Sequence, residues 1–489
     1  MAPETMAIEA AALARYRGIV PDFQDFLAAS ARPLPKCIWV NTLRMTRGGL
    51  AGRLAAQGLE VQPVPWYPRG LRVSSGESLG LTVEFLAGAY HVQEEVSLLP
   101  VVLLDPQPGE RILDLCAAPG NKTAQAAVHM DNCGTVVAVD PAIRRLGALQ
   151  YNLHRLGVAC CVTIAAGGGN LPAAVGTFDR VLVDAPCSCE GTTRKHAHVL
   201  RATRPAPWER LAATQRALLT RALQLCRPGG RVVYSTCTYA PEENEGVLDA
   251  VLRAAPPGSV RVLPVEVPGL LTRPGVEAWE GRRFVPEVVL SRRIYPHEND
   301  TGGFFVAVLE KLGGEVGPAG GPAILPEVPL AQWQAGVERF GISPQEVLDR
   351  YVVFRANTHR LALASRQLRA PAHPRPESIG LPFLETAGAV PRLTTPAALL
   401  LGSAARDQVI ELDEAQTDAF LARRAVALRV GQVASCPGGG FVVVRYAGLT
   451  LGTGSVRPAT GGGLTLHSAF PTAWAVKSGR SLFASTPRE

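Results

Sequence analysis

The stretch Arg111-Ile112-Leu113-Asp114-Leu115-Cys116-Ala117-Ala118-Pro119-Gly120-Asn121-Lys122-Thr123 decides the fold. Its first half is a short apolar run of strand length. Its second half is a turn of small residues that opens a helical segment. A strand that feeds a helix through such a turn is the first unit of a doubly wound α/β sheet, and it sets the helix's free N–H groups at the strand's C-terminal end.

Working outward, Val136–Asp140, Cys161–Ala165, Arg180–Asp184 and Arg231–Thr236 read as further buried strands. Between them, Arg144–Gly157 places Leu146, Leu149, Leu153 and Leu156 on one helical face, with Gly157 as the stop. Thr214–Cys226 repeats the scheme and ends at Pro228, Gly229 and Gly230. Strands alternating with helices predict a Rossmann-like α/β domain over residues 96–312.

Residues 1–95 mix predicted helices (Ala7–Tyr16, Pro21–Ala29), an extended segment (Cys37–Leu43) and an amphipathic stretch (Leu50–Leu59), which makes a small α+β module. Gly and Pro crowd residues 313–329, the pattern of a linker. Residues 330–489 form a further α+β domain, expected to be helical over Gln332–Ala364 and β over Ala425–Leu451.

The chain has 489 residues, 47% of them hydrophobic and 19% charged, enough apolar material for two or three cores and too much for a disordered chain. The net charge is +7, and residues 330–489 alone carry +6, with 17 Lys and Arg against 11 Asp and Glu. That asymmetry suits a polyanionic partner such as nucleic acid, although a solvated basic surface has the same composition. Ten scattered cysteines without CxxC pairs argue against a metal site, and most should be small core residues. No signal peptide and no membrane-length apolar run is evident, so the free thiols fit a reducing cytoplasm. Only five lysines stand against 44 arginines, and Lys122 and Lys195 both fall within motif segments, where a compact ammonium differs in use from a guanidinium.

The turn Cys116–Lys122 lets backbone approach a ligand and offers helix N–H groups to an anionic group. Asp140 ends the second strand, where a carboxylate can accept from both hydroxyls of a ribose. The turn lacks G-x-G-x-x-G and hence the close approach that a pyrophosphate requires, which favours S-adenosylmethionine over NAD.

The fourth strand ends in Asp184-Ala185-Pro186-Cys187-Ser188 and the fifth in Ser235-Thr236-Cys237-Thr238-Tyr239. Adjacent strands in such a sheet would bring both cysteines to the cofactor's edge. Carbon 5 of cytosine is a poor nucleophile until a nucleophile adds at carbon 6, a task suited to a thiolate. Asp184 could hydrogen-bond the base and stabilise charge as the sulfur adds. Each cysteine taken alone is more often a buried filler; two together in polar turns are not.

The segments DLCAAPGNKT, VDAPCSCEGTTRK and YSTCTYAPEENE, with Tyr90–Glu95 upstream and Pro296–Phe305 (PHENDTGGFF) downstream, resemble the NSUN (Sun-domain) family of RNA 5-cytosine methyltransferases over residues 35–312. The resemblance implies that Cys237 is the nucleophile and that Cys187 assists product release. It also implies cofactor contacts at Cys116, Ala117, Ala118, Pro119, Gly120, Asn121, Lys122, Asp140 and Asp184. Two departures stand out. Ala165–Asn170 lacks the acidic residue that many members offer to adenine, leaving backbone near Gly168–Asn170, and Cys189 replaces a common glycine. The C-terminal extension resembles the bacterial RsmF branch, which implies a PUA-like RNA-binding domain, an RNA-binding N-terminal module, a 16S rRNA or small-subunit substrate, and a monomer that uses no metal. The competing readings are a tRNA cytosine-5 methyltransferase, a DNA cytosine-5 methyltransferase, which would make Cys187 the attacker and need a Glu-Asn-Val partner that this chain lacks, and a non-catalytic RNA-binding assembly factor.

Overall fold

The computed structural model describes residues 12–74, 78–196, 199, 208–314, 325–388, 391–434, 436, 439–459, 462–476 and 482–483. The first part of the predicted helix Ala7–Tyr16 lies outside them, as do residues 315–324 of the linker.

Five parallel strands form the centre: β1 (Arg111–Asp114), β2 (Thr135–Asp140), β3 (Cys161–Ala165), β4 (Phe178–Asp184) and β5 (Cys226–Thr236). They lie in the order β5-β4-β1-β2-β3, and β6 (Phe304–Lys311) pairs antiparallel outside β5. The sheet reverses direction across β1, so the crevice at its C-terminal edge opens between β1 and β4, where an open α/β sheet holds its ligand. Helices α1 (Asn121–His129) and α2 (Ile143–Leu156) cover one face, and α3 (Trp208–Leu225) covers the other. Burial on both faces explains the unbroken apolar run Val136–Val139, which has no polar side to show.

The N-terminal module is a four-stranded antiparallel sheet of Glu60–Pro63, Gly70–Ser74, Cys37–Val40 and Tyr90–Val92. It is bolted to the central domain by polar contacts: Asn41 Nδ2 donates to the carbonyls of Gly88 (2.8 Å) and Leu156 (2.9 Å).

The C-terminal part departs from its sequence reading. Gln332–Ala364 is not a continuous helical segment: two short helices, Ala335–Glu338 and Pro344–Leu348, precede the hairpin strands Tyr351–Asn357 and Arg360–Ser365. The β-branched Val352 and Val353, and the alternation of Leu361 and Leu363, favour the pleated form once a partner strand is present. This hairpin joins a four-stranded sheet, and residues 409–468 supply a separate five-stranded one. Nor does the far end of the linker hang free, since Glu327 bridges Phe354 and the Val328 N–H donates to the Val353 carbonyl at 2.9 Å.

The C-terminal part is not a detached arm. Strand β7 (Ser378–Ile379) pairs antiparallel with β3 and closes the edge of the central sheet, with Thr163 and Ser378 hydroxyls 2.7 Å apart. The Ser365 N–H donates to the Ala159 carbonyl at 3.2 Å, and α4 (Thr395–Leu401) packs on α2. Val83 and Leu86 of the N-terminal module share an apolar cluster with Leu399, Ile410 and Leu412. Among the described residues, no helix is long and apolar enough to cross a membrane.

Candidate active site

The first half of the site is built where β1 gives way to α1. Asp114 closes the strand, is buried, and accepts from Thr123 Oγ1 (2.7 Å) and the Cys116 N–H (3.3 Å), which folds the turn back on itself. Burial pushes its carboxyl up to about 6 despite those donors. Gly120 has φ 99°, and a Cβ there would lie 3.2 Å from the Leu149 backbone, so the turn requires glycine on both counts. Burial, followed by the surrounding carboxylates, pushes the Cys116 thiol up.

Asp140 stands at the end of β2 with its carboxylate 1% exposed. It accepts from the Ala142 N–H at 3.0 Å and the Ala118 N–H at 3.3 Å, so it holds the turn in place. Past β3, Gly167 has open space around it, whereas Gly168 is packed against Leu115 and Leu218. Of the segment Gly168–Asn170, the backbone is therefore partly committed to packing on α3.

A neutral histidine links this turn to the N-terminal module. Arg155 Nη2 donates to His91 Nδ1 (2.8 Å), so Nε2 carries the ring proton and donates to Asn121 Oδ1 (2.9 Å). Burial, with Arg155 beside it, pushes His91 down to about 3. His91 lies in a motif segment, but its partners lie 30 and 64 residues away in sequence, and no local pattern exposes them.

The second half lies at the ends of β4 and β5. Asp184 and Ser235 are in register, and Ser235 Oγ donates to Asp184 Oδ1 at 2.8 Å. Lys122 reaches across from α1 to Asp184 Oδ2 at 2.7 Å. Burial opposes the lysine's charge, but Asp184 outweighs it and Lys122 titrates above the usual lysine range. The two motif cysteines meet: Cys187 Sγ lies 3.4 Å from Cys237 Sγ and 3.9 Å from Cys189 Sγ. Hydrogen bonding to its two neighbours, followed by burial, holds Cys187 as a thiol, while bonds from Cys187 and Cys237 draw negative charge toward Cys189.

A polar scaffold fixes the thiols. The Ser188 N–H donates to Glu243 Oε2 (3.1 Å), and Ser188 and Thr238 hydroxyls lie 2.6 Å apart. Gln215 Nε2 also donates to Glu243 (2.7 Å), and desolvation pushes that carboxyl up to about 7. The Gly191 N–H donates to the Cys237 carbonyl (2.8 Å), and the Gly303 N–H donates to the Gly191 carbonyl (2.9 Å). The downstream segment with Gly302 and Gly303 thus serves to clamp the cysteine loop. Sequence reasoning passed over Glu243 and Gln215, although Glu243 lies inside the YSTCTYAPEENE segment.

The residues suit S-adenosylmethionine. A buried carboxylate at a strand end and the uncapped N–H groups at the start of α1 match a ribose and an amino-acid carboxylate. Fold and site together define a Rossmann-like methyltransferase.

Comparison with known proteins narrows the class. The chain matches the family model for 16S rRNA methyltransferase RsmB/F over residues 101–310 and the N-terminal domain of 16S rRNA methyltransferase RsmF over residues 11–95. It is 38% identical over 325 residues to ribosomal RNA small subunit methyltransferase F of Klebsiella pneumoniae, covering 64% of this chain and 65% of that one. It is 35% identical over 354 residues to the Escherichia coli protein of the same name, covering 70% and 69%. A methyltransferase homologue from Pyrococcus horikoshii superposes with a TM-score of 0.56 at 32% identity, covering 64% of this chain and 100% of that one. The chain belongs to the RsmB/F methyltransferase family, in its RsmF-like branch.

Proposed function

We propose that this protein transfers a methyl group from S-adenosylmethionine to carbon 5 of a cytosine in 16S ribosomal RNA, with Cys237 as covalent nucleophile. The carrying observation is the 3.4 Å approach of Cys187 and Cys237 beside the Lys122–Asp184 pair, at the same sheet edge as Asp140. When bound, S-adenosylmethionine supplies an electrophilic methyl group.

The chain's own residues divide the remaining work. The cytosine is turned out of its stack at a cost of a few kcal/mol, and Cys237 Sγ bonds to carbon 6. Its S–H proton leaves through Asp184 to ring nitrogen N3, which prevents negative charge from accumulating on the base as carbon 5 becomes nucleophilic. After transfer, a base takes the carbon 5 proton and passes it to solvent, and Cys237 is expelled as the N3 proton returns to it through Asp184. Cys187, packed against Cys237, is placed to promote that step. Ten free cysteines fit action in the reducing cytoplasm, and a groove between Arg392, Arg423, Arg457 and His467 with Phe441 fits an RNA backbone.

The test uses labelled S-adenosylmethionine with small-subunit RNA. Cys237→Ala is expected to abolish methylation without an adduct. Cys187→Ala is expected to accumulate a methylated protein–RNA complex that survives denaturing electrophoresis. Adduct formation by Cys237→Ala and none by Cys187→Ala would assign the attack to Cys187 and overturn the reading.

A further inference from the structure

The third thiol has no part in the chemistry above. Cys189 is held at φ 60°, a backbone state that costs a side-chain-bearing residue energy and that glycine adopts freely. Its sulfur is nonetheless aimed at the other two, and the Cys187, Cys189 and Cys237 sulfurs all lie within 4.8 Å of one another.

We propose that these three cysteines form a site for a thiophilic divalent cation of the zinc type, and that the bound cation masks Cys237. A zinc–thiolate bond of about 2.3 Å places tetrahedral ligand sulfurs about 3.8 Å apart. The separations of 3.4 and 3.9 Å bracket that value and the third, Cys189 to Cys237, is at most 4.8 Å, so sulfur shifts of about 1 Å or less admit the ion. Three sulfur ligands select a soft or borderline cation over magnesium or calcium, and the fourth position is left to water. A search for CxxC pairs passes over this site, because two ligands come from Cys-x-Cys after β4 and the third from the end of β5.

The chemistry balances without redox change. The sulfurs that still carry protons release them to solvent, and three thiolate–metal bonds form. The cluster then carries one net negative charge, and Lys122 interacts electrostatically with Cys237. The loop is already rigid, since the Gly191 N–H is tied to the Cys237 carbonyl and Ser188 to Glu243. A preorganised ligand set loses little entropy on binding. A disulfide is the competing use of these thiols, but it would join two sulfurs and give no role to the third.

Capture of the cation rests on this geometry alone; only the masking of Cys237 rests on the proposed function. The full-length chain, kept reduced by a phosphine and stripped of metal, is titrated with Cd2+ while the ultraviolet sulfur-to-metal charge-transfer band is followed. The expected result is a band that saturates at one ion per chain and is competed away by Zn2+. Cys189→Gly, which suits the backbone at that position, should weaken binding by at least about tenfold, more than loss of an outer-sphere partner. Cys189→Ser, closer in size, should behave alike. Saturating Zn2+ should stop methyl transfer by the wild-type chain, and a chelator should restore it.

Absence of the band, or its persistence at full affinity in both Cys189 variants, would overturn the site. Undiminished methylation at saturating Zn2+ would overturn the masking. A chain that shows the band yet transfers no methyl group even without zinc would keep the metal site and lose the proposed function instead.

Discussion

Arg145 lies over the carboxylate of Asp140, with 3.1 Å between Nη1 and Oδ2, while its Nη2 donates to the Ala118 carbonyl at 2.6 Å. The guanidinium is half-exposed and the carboxylate buried, so Arg145 covers one oxygen of Asp140 from the solvent side. The carboxylate anchors the Ala118 and Ala142 N–H groups, and the proposed function gives it a second duty as ribose acceptor.

Asp140→Ala should therefore fail twice. S-adenosylmethionine affinity is expected to fall by on the order of 100-fold, since two charge-assisted contacts of about 1.5 kcal/mol each are lost. Stability should drop by about 1–3 kcal/mol from the orphaned N–H groups. Asp140→Asn should recover part of the stability and little of the affinity. Calorimetry and urea unfolding separate the two effects; unchanged affinity would remove Asp140 from the ribose site.

Gly191 carries the second expectation. A Cβ there would lie 2.3 Å from the Gly303 carbonyl oxygen and 2.9 Å from that of Cys237. Gly191→Ala must push the cysteine loop off its clamp, and a shift near 1 Å costs on the order of 100-fold in rate. Methyl transfer should fall by about that factor, with cofactor affinity nearly unchanged because Asp140 and the β1 turn lie elsewhere.

How much of this was legible in the sequence depended on range. The parallel strands were readable because burial on both faces writes them as continuous apolar runs, and Asp184, Cys187 and Cys237 were placed by the adjacency of β4 and β5. The segment over Gln332–Ala364 was misread because its strands owe their form to partners such as Leu381–Glu385, far along the chain. Glu243 and Gln215 were missed for a related reason: a carboxylate that holds a loop amide looks, in one dimension, like any surface glutamate.

Histidine 91 sets an acid limit. Its folded pKa lies near 3 against about 6.5 when unfolded, so the unfolded chain binds the extra proton and stability falls as pH drops below 6.5. Between pH 6.5 and 5 this one group removes about 2 kcal/mol. His91→Gln should destabilise the protein at pH 7.5, and its deficit relative to wild type should shrink by about that amount at pH 5. A deficit independent of pH in urea titrations would mean that His91 is charged in the folded state.

The C-terminal groove is best probed by point changes, because its strands share cores with the rest of the chain. Arg457 is exposed on Leu449–Pro458 at the groove's edge. Arg457→Ala should weaken RNA binding evenly across sequences and reduce the slope of log affinity against log salt by about 1. An unaltered slope would place the RNA backbone elsewhere.

The pairing of β3 with Ser378–Ile379 has a consequence for biosynthesis. Thr163 and Ser378, whose hydroxyls meet across that edge, are 215 residues apart in sequence. At about 5–20 residues per second, a translating ribosome leaves the outer strand of the catalytic sheet without its cover for on the order of 10–40 s. A bare strand edge is a template for pairing with another chain. Nascent polypeptides halted inside that interval should be the ones that aggregate or recruit chaperones, and release from that hazard should begin only once residue 379 has cleared the exit tunnel.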